Sequence, residues 1–239
     1  MNFVVIMKQL FDGMSASVMI FALTLLFSMP LGLVVAFGRM SKWAPLGFLA
    51  KEDGKNGFLR LTIATFRPIQ FIVKIIIAIL RGTPLMLQLL VVFYGPFYLF
   101  GVQLPRSYRL IAVLLGFSIN YAAYFAEIYR AGIESIPVGQ YEAAFVLGYN
   151  KSQTFRKIIL PQMVKRILPP VTNEVITLVK DTSLAFVLAY AEMFTVAKQI
   201  AAAKTSIMPL FVAGVFYFIF NFVVAFVMER IEKALSYYR

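Results

Sequence analysis

Charged and hydrogen-bonding side chains lie inside three long apolar stretches of this sequence, where they could bind a polar molecule. The candidate ligands are Arg81, Thr83, Asn120, Glu174, Lys180, Asp181, Thr182 and Ser183. A charged side chain at the centre of a bilayer costs at least about 2.5–3.5 kcal/mol on insertion scales, so it persists where it pairs with another group or lines a cavity. Side chains of both signs suit a zwitterion, because a cation can hold its carboxylate and an anion its ammonium group.

Two interpretations of these charges stay open. They can neutralise one another, with Lys180 paired to Asp181 or Glu174 and Arg81 paired to Glu127, since buried charges are usually paired. Alternatively, Lys180 or Arg81 holds the carboxylate of a substrate, and Asp181 or Glu174 holds its ammonium group. The two interpretations are compatible, because groups that pair in the empty state can be paired again by a substrate.

The sequence around these residues predicts helices, one of them broken. Asn120 and Glu127 stand at i and i+7 and therefore share one helix face. Pro84 has no amide hydrogen, so it removes one backbone hydrogen bond and frees the carbonyl of Leu80. Broken helices near the middle of a membrane commonly line substrate sites, which favours a site beside Arg81.

Several classes of chemistry are excluded by composition. The chain has no Cys and no His, which excludes thiolate nucleophiles, zinc sites of the Cys/His type and Ser-His-Asp arrangements. It also lacks a Gly-rich loop ending in Gly-Lys-Ser or Gly-Lys-Thr, the sequence that cradles ATP phosphates. We therefore expect no enzyme activity and no bound cofactor in this chain. The net charge of +12 suits cytoplasmic loops and anionic lipid, and no nucleic-acid binding is expected.

The elements that must position these residues are membrane-spanning helices. Hydrophobic residues make up 61% of the chain, above the roughly 45–50% that is typical of soluble domains. A span needs about 20 mostly apolar residues, and five stretches qualify: 14–37, 68–94, 108–128, 169–190 and 207–228. The sequence thus predicts an all-α integral membrane protein with one domain over residues 1–239. Lys and Arg concentrate in segments 38–67 and 129–166, which predicts that both are cytoplasmic, with the N-terminus outside and the C-terminus inside.

A short helix is predicted between the third and fourth spans, in a loop at about 134–161. Pro137 and Gly139 break the preceding helix, residues 140–147 tolerate a helix, and Gly148 ends it. From spacing alone, this helix could enter a groove on a partner protein or lie on the lipid head groups.

The same loop carries the pattern Glu142-Ala143-Ala144, Gly148, Ile158 and Leu160-Pro161. It resembles the motif of the membrane subunits of bacterial ABC importers, with every element at the family's spacing. The resemblance implies that this is a coupling helix inserting into a cytoplasmic ATPase, with Glu142, Ala143, Ala144, Gly148, Leu160 and Pro161 as coupling residues.

Two further stretches narrow the resemblance. Arg81-Gly82-Thr83-Pro84-Leu85 and the run from Leu178 to Leu184 look like the polar amino acid branch, which includes importers of histidine, glutamine, arginine and cystine. The long segment 41–67 departs from the family's pattern, and its role stays open.

The resemblance implies a type I importer permease, a multi-pass protein of the bacterial cell membrane that works by alternating access. Its implied partners are a cytoplasmic ATPase dimer holding ATP and Mg, an extracytoplasmic substrate-binding protein, a second permease copy or paralogue, an amino acid and membrane lipid. The alternative is a secondary transporter or channel driven by an ion gradient, in which Glu127, Glu174 and Asp181 would be ion sites.

Overall fold

The computed structural model describes residues 3–45 and 66–235, and over these ranges the regular structure is helical. Most of the long segment 41–67 lies outside the described residues. The helices are α1 (Phe3–Arg39), α2 (Pro68–Gly82), α3 (Leu85–Phe100), α4 (Tyr108–Glu134), α5 (Val138–Val146), α6 (Leu160–Asp181), α7 (Met193–Lys204) and α8 (Met208–Leu235). A turn of α-helix (Lys151–Gln153) and a π-helical segment (Thr154–Ile159) lead into α6, and a 3₁₀ segment (Thr182–Leu188) follows it.

The five predicted spans all fall on these helices. Within the described ranges, α1, α4 and α8 are each long and apolar enough to cross a membrane alone. Two bent pairs raise the number of spans to five if each pair crosses once: α2 with α3, bent by 110°, and the helical run 151–188 with α7, bent by 56°. The prediction of an all-α membrane protein is therefore confirmed, and the helices agree with the predicted five spans if each bent pair crosses once.

The helices extend beyond the predicted spans, most of all in the first and the fourth. α1 begins at Phe3 and has 37 residues, a length of about 55 Å at 1.5 Å per residue, whereas the hydrocarbon core is about 30 Å thick. The helix before the fourth span begins at Lys151, well ahead of the predicted residue 169. Pro161 lies directly after the π-helical segment, where the backbone hydrogen-bond pattern changes from i→i+5 to i→i+4.

The core is built around α4, whose buried side chains include Phe117, Tyr121 and Phe125. α1 packs chiefly against α4. A Cβ at Gly32 would lie 2.8 Å from the Cβ of Phe125 and 3.1 Å from the carbonyl oxygen of Ala122. The two backbones therefore approach as closely as they do because residue 32 has no side chain.

A second, smaller cluster holds the start of α1 against α7 and α8. Leu10, Met193, Ala197, Ile200 and Ala213 form its buried part. The rest of α8 is barely covered by the other helices: only 6% of its most apolar 18-residue stretch is buried within the chain. That face is left for lipid or for another subunit.

Candidate functional site

A cavity of about 460 Å³ lies between the end of α2, the second half of α4 and the middle of α6. Six charged or aromatic polar side chains line it: Arg81, Tyr124, Glu127, Arg130, Arg166 and Glu174. It extends from the break between α2 and α3 to Ser135, just before the predicted coupling helix. Two of the predicted ligands, Arg81 and Glu174, thus share one cavity.

Arg81 and Glu174 bring opposite charges to this cavity, and their charges attract each other without forming an ion pair. The guanidinium carbon of Arg81 lies 5.1 Å from the centroid of the Tyr124 ring, a cation–π contact. Within the described part of the chain, neither Arg81 nor Glu174 forms an ion pair. Both charges are therefore available to a polar ligand.

The remaining charges of the cavity are largely satisfied inside the protein. Glu127 is 3.4 Å from Arg39 and 2.7 Å from Arg130, and Arg130 also contacts Glu134 at 2.5 Å. Arg166 donates a hydrogen bond to the carbonyl oxygen of Ser135. Glu127 therefore joins the end of α1 to the end of α4.

The ion pairs expected under mutual neutralisation do not form among the described residues. Glu127 contacts Arg39 and Arg130 rather than Arg81, and no ion pair joins Lys180 to Asp181 or Glu174. The reason is tertiary: α1 carries Arg39 to the face of α4 that holds Glu127, a contact that spacing within one helix cannot predict.

The break between α2 and α3 is closed by a polar network. The Gln88 side-chain nitrogen donates to the carbonyl oxygen of Leu80 at 2.8 Å and to the Thr83 hydroxyl at 2.8 Å. The Asn120 nitrogen donates to the same Leu80 oxygen at 3.1 Å and to the Gln88 side-chain oxygen at 3.0 Å. Thr83 in turn donates to the Ile79 carbonyl at 2.8 Å. Both predicted ligands in this network, Thr83 and Asn120, hold the break itself.

Gln88 was not among the predicted site residues. The available indication was a single amide in an otherwise apolar run, eight residues after the carbonyl that Pro84 frees. That indication is weak, because the partner Asn120 is 32 positions away in the chain and only the packing of α3 on α4 brings the two amides together.

The predicted ligands at the end of α6 lie apart from the residues that line the cavity. Asp181 accepts a 2.8 Å hydrogen bond from the hydroxyl of buried Tyr121. Thr182 is fully buried and donates to the Val179 carbonyl, while Ser183 donates to the Lys180 carbonyl. Lys180 itself is exposed. Of this group, Asp181 is tied most directly to the centre of the bundle.

The predicted coupling helix, α5, exposes a set of apolar side chains. The exposed fractions are 69% for Val138, 80% for Phe145, 83% for Val146 and 71% for Leu147. Ala144 is only 2% exposed, so its side chain faces its own chain and is not part of this surface. Exposed apolar side chains of this size on so short a helix are typical of a protein contact.

The other predicted coupling residues frame this surface. Glu142 and Ala143 are exposed on α5. Gly148 follows the helix with φ +75°, a left-handed conformation that glycine adopts without a Cβ clash. Leu160 is half-buried against the core, and Pro161 is exposed in the first turn of α6.

A fully buried carboxylate, Glu192, was also missed by sequence reasoning. It caps α7 by accepting from the backbone amides of Phe194 and Thr195, both at 2.7 Å, and it accepts from the Tyr217 hydroxyl at 3.0 Å. Because Tyr217 belongs to α8, this carboxylate joins two helices. Its position just before a helix suggests a cap, but its burial depends on α8.

Comparison with known proteins adds sequence and structural relatives. Residues 58–237 match a family model described as "Binding-protein-dependent transport system inner membrane component". The arginine transport system permease protein ArtQ of Bacillus subtilis (strain 168) is 37% identical over 175 residues, which are 73% of this chain and 78% of that protein. The L-cystine transport system permease protein TcyB of the same organism is 34% identical over 218 residues, 90% of this chain and 82% of that protein.

Two solved structures resemble this chain. The crystal structure of an amino acid ABC transporter with histidines aligns with a TM-score of 0.78 at 26% identity, covering 98% of this chain and 99% of that chain. The MetNI methionine ABC transporter, in inward-facing conformations, aligns with a TM-score of 0.65 at 16% identity, covering 99% of this chain and 100% of that chain. The second likeness shows a shared fold.

Proposed function

The chain belongs to the family of binding-protein-dependent transport system inner membrane components, and from this premise we propose that it is the permease subunit of an ATP-driven importer of polar amino acids. It is a multi-pass protein of the bacterial inner membrane. Its relatives include permeases named for arginine and L-cystine transport, and the comparisons give no support to an ion-gradient-driven transporter or channel.

The observation that carries the amino acid assignment is a pair of opposite charges in the cavity, neither of which forms an ion pair among the described residues. Arg81 and Glu174 line the same 460 Å³ space, which is roomy enough for a free amino acid. Arg81 would hold the carboxylate by charge-assisted hydrogen bonds, and Glu174 would hold the ammonium group. An amino acid satisfies both charges at once, whereas a simple anion or cation would leave one of them without a partner.

Energy would come from other polypeptides. The sequence has no phosphate-binding loop, so ATP and Mg would be held by a cytoplasmic ATPase dimer. Its contact would be the apolar surface formed by Val138, Phe145 and Val146 on α5 and by Leu147 directly after it. Only three residues separate α5 from α4. A displacement of α5 by the ATPase would therefore also move Ser135, which lines the cavity.

The remaining partners follow from the same premise. An extracytoplasmic binding protein would deliver the amino acid to the outer side, with the N-terminus outside and the C-terminus inside, as the Lys and Arg distribution predicts. A second permease copy or a paralogue would complete the pathway, and the sparsely covered face of α8 is available for it or for lipid. ATP-driven closure would then expose the cavity alternately to the two sides.

The test is uptake of a panel of labelled amino acids into proteoliposomes that contain this chain, its ATPase and its binding protein. We expect uptake only when ATP is supplied inside the proteoliposomes and the binding protein is present. The labelled amino acid that accumulates is then the substrate. Uptake without ATP that follows an imposed ion gradient would contradict the proposal and would make the membrane carboxylates ion sites.

A further inference from the structure

The amides of Gln88 and Asn120 lie at the one point where the backbone of the α2–α3 pair is broken. Pro84 cannot supply an amide hydrogen to the Leu80 carbonyl, which would otherwise be left without its helical partner inside the membrane. Two side-chain donors replace it, at 2.8 Å from Gln88 and 3.1 Å from Asn120. The carbonyl oxygen has two lone pairs and accepts both bonds, so α3 and α4 constrain the break together.

That constraint bears on the residue that follows Leu80 in the chain. Arg81 lies in the last turn of α2, directly before the break, and its guanidinium rests on the ring of Tyr124. Asn120 and Tyr124 are one turn apart on the same face of α4. The same helix face therefore holds the backbone of the break through Asn120 and the side chain of Arg81 through Tyr124.

The network leaves its members little capacity to bind a ligand. Both hydrogens of the Asn120 amide are used, on Leu80 and on Gln88. The Thr83 hydroxyl donates to Ile79 and accepts from Gln88. Asn120 is 4% exposed. These groups are consequently placed to orient a ligand-binding residue rather than to contact the ligand.

We propose that Gln88 and Asn120 are positioning residues that fix the direction in which Arg81 presents its guanidinium to the carboxylate of the transported amino acid. The inference rests on the proposed function of the cavity. It assigns a role to Gln88, and it moves Asn120 and Thr83 from the group that touches substrate to the group that holds Arg81.

The experiment compares an acid with its amide. Uptake of L-arginine, L-histidine and L-glutamine by the full complex in proteoliposomes is measured with ATP, together with uptake of the corresponding carboxamides, which lack the negative charge. For Gln88→Met and Asn120→Leu, KM for the acid should rise about tenfold relative to KM for the amide, the factor that one misplaced charged hydrogen bond represents. The maximal rates should change far less.

Three further variants make the result specific. Discrimination here means the ratio of KM for the amide to KM for the acid. The double variant Gln88→Met/Asn120→Leu should lose no more discrimination than either single variant, because both side chains act on one carbonyl. Gln103→Met, at an exposed position between α3 and α4, should leave discrimination unchanged. Thr83→Val removes one partner of Gln88 with little change of shape, and it serves where a Gln88 or Asn120 variant fails to assemble; it should lower discrimination in the same direction.

Arg81→Met separates the failure of this inference from that of the proposed function. If Arg81→Met loses discrimination while Gln88→Met, Asn120→Leu and Thr83→Val keep it, the positioning role is overturned and the cavity assignment stands. If Arg81→Met also keeps discrimination, or if the unchanged complex takes up none of these amino acids, both are overturned. A uniform fall in maximal rate with unchanged discrimination would show a structural role alone.

Discussion

The hydroxyl of Tyr121 donates a 2.8 Å hydrogen bond to a carboxylate oxygen of Asp181, joining the middle of α4 to the end of α6. Tyr121 is 2% exposed, so this bond lies in the interior of the helix bundle. α6 leads back through its π-helical start to α5. The bond therefore ties the end of α6 to the centre of the bundle.

Removing this hydrogen bond should weaken uptake. Tyr121→Phe keeps the ring but leaves a partly buried carboxylate without its donor, which costs about 1–3 kcal/mol. We expect a lower melting temperature and slower uptake, with the ATPase still bound. Asp181→Ala should also slow uptake without detaching the ATPase. Tyr98→Phe is the control, because Tyr98 is 77% exposed; equal behaviour of the two Tyr→Phe variants would contradict the role given to Tyr121.

Phe145→Ser should detach the ATPase without destabilising the permease. The side chain is 80% exposed, and substitutions at such positions usually change stability by less than about 0.5 kcal/mol. Co-purification of the ATPase in detergent and the melting temperature of the permease alone measure the two effects. Leu99→Ser is the matched control, since Leu99 is 74% exposed on α3. Retention of the ATPase by Phe145→Ser would argue against docking at α5.

Gly148→Val should abolish transport while the chain still inserts into the membrane. The positive φ of 75° is unfavourable for a side chain by about 1–2 kcal/mol, so the end of α5 would have to change its direction. Gly139→Val, also on α5, is the control, because Gly139 has no positive φ and open space around it. Uptake and membrane fractionation are the measurements. Normal uptake by Gly148→Val would count against a fixed geometry at this joint.

Gly32→Ala should destabilise the bundle, whereas Gly214→Ala should not. The added methyl at residue 32 would meet Phe125 and the Ala122 backbone at 2.8 and 3.1 Å, and overpacking of this kind costs about 1–3 kcal/mol. Gly214 has nothing within 4 Å, so alanine there should be neutral or stabilising by up to about 1 kcal/mol. Thermal unfolding of the purified permease measures both. Equal melting temperatures would refute the close α1–α4 contact.

Glu174→Gln should raise the KM for the amino acid about tenfold or more, because the ammonium group loses its counter-charge in the cavity. The maximal rate should change less, since the side-chain shape is kept. Glu134→Gln is the control, because Glu134 is exposed and contacts Arg130, and it is not one of the two residues, Arg81 and Glu174, proposed to bind the amino acid. An unchanged KM in Glu174→Gln would show that the ammonium group is held elsewhere.

Sequence reasoning predicted the helical architecture well because the evidence for it is local. A run of about 20 apolar residues has few alternatives to a membrane helix, and a proline lacks the amide hydrogen that continues the helical hydrogen-bond pattern. Pro30 and Pro96 are nevertheless held inside continuous helices, so a proline alone does not fix the position of a break. The break at Pro84 and the short helix after Pro137 were predicted on these grounds, and the structure contains both. The start of the fourth helical run was missed because a π-helical segment lets the chain remain helical through to Pro161.

By itself, the sequence determined that the protein is an all-α membrane protein, that charges of both signs lie within its spans, and that it carries the motif of an ABC importer permease. These properties depend on composition and on spacing along one chain. Only the tertiary structure decided which charged side chains remain available to bind a ligand in the cavity. α1 brings Arg39 to Glu127, and α3 brings Gln88 to Asn120, so that Arg81 and Glu174 are the pair left to line the cavity without an ion-pair partner among the described residues. Pairing between distant residues depends on how helices pack, and a hydrophobic pattern does not encode that packing residue by residue.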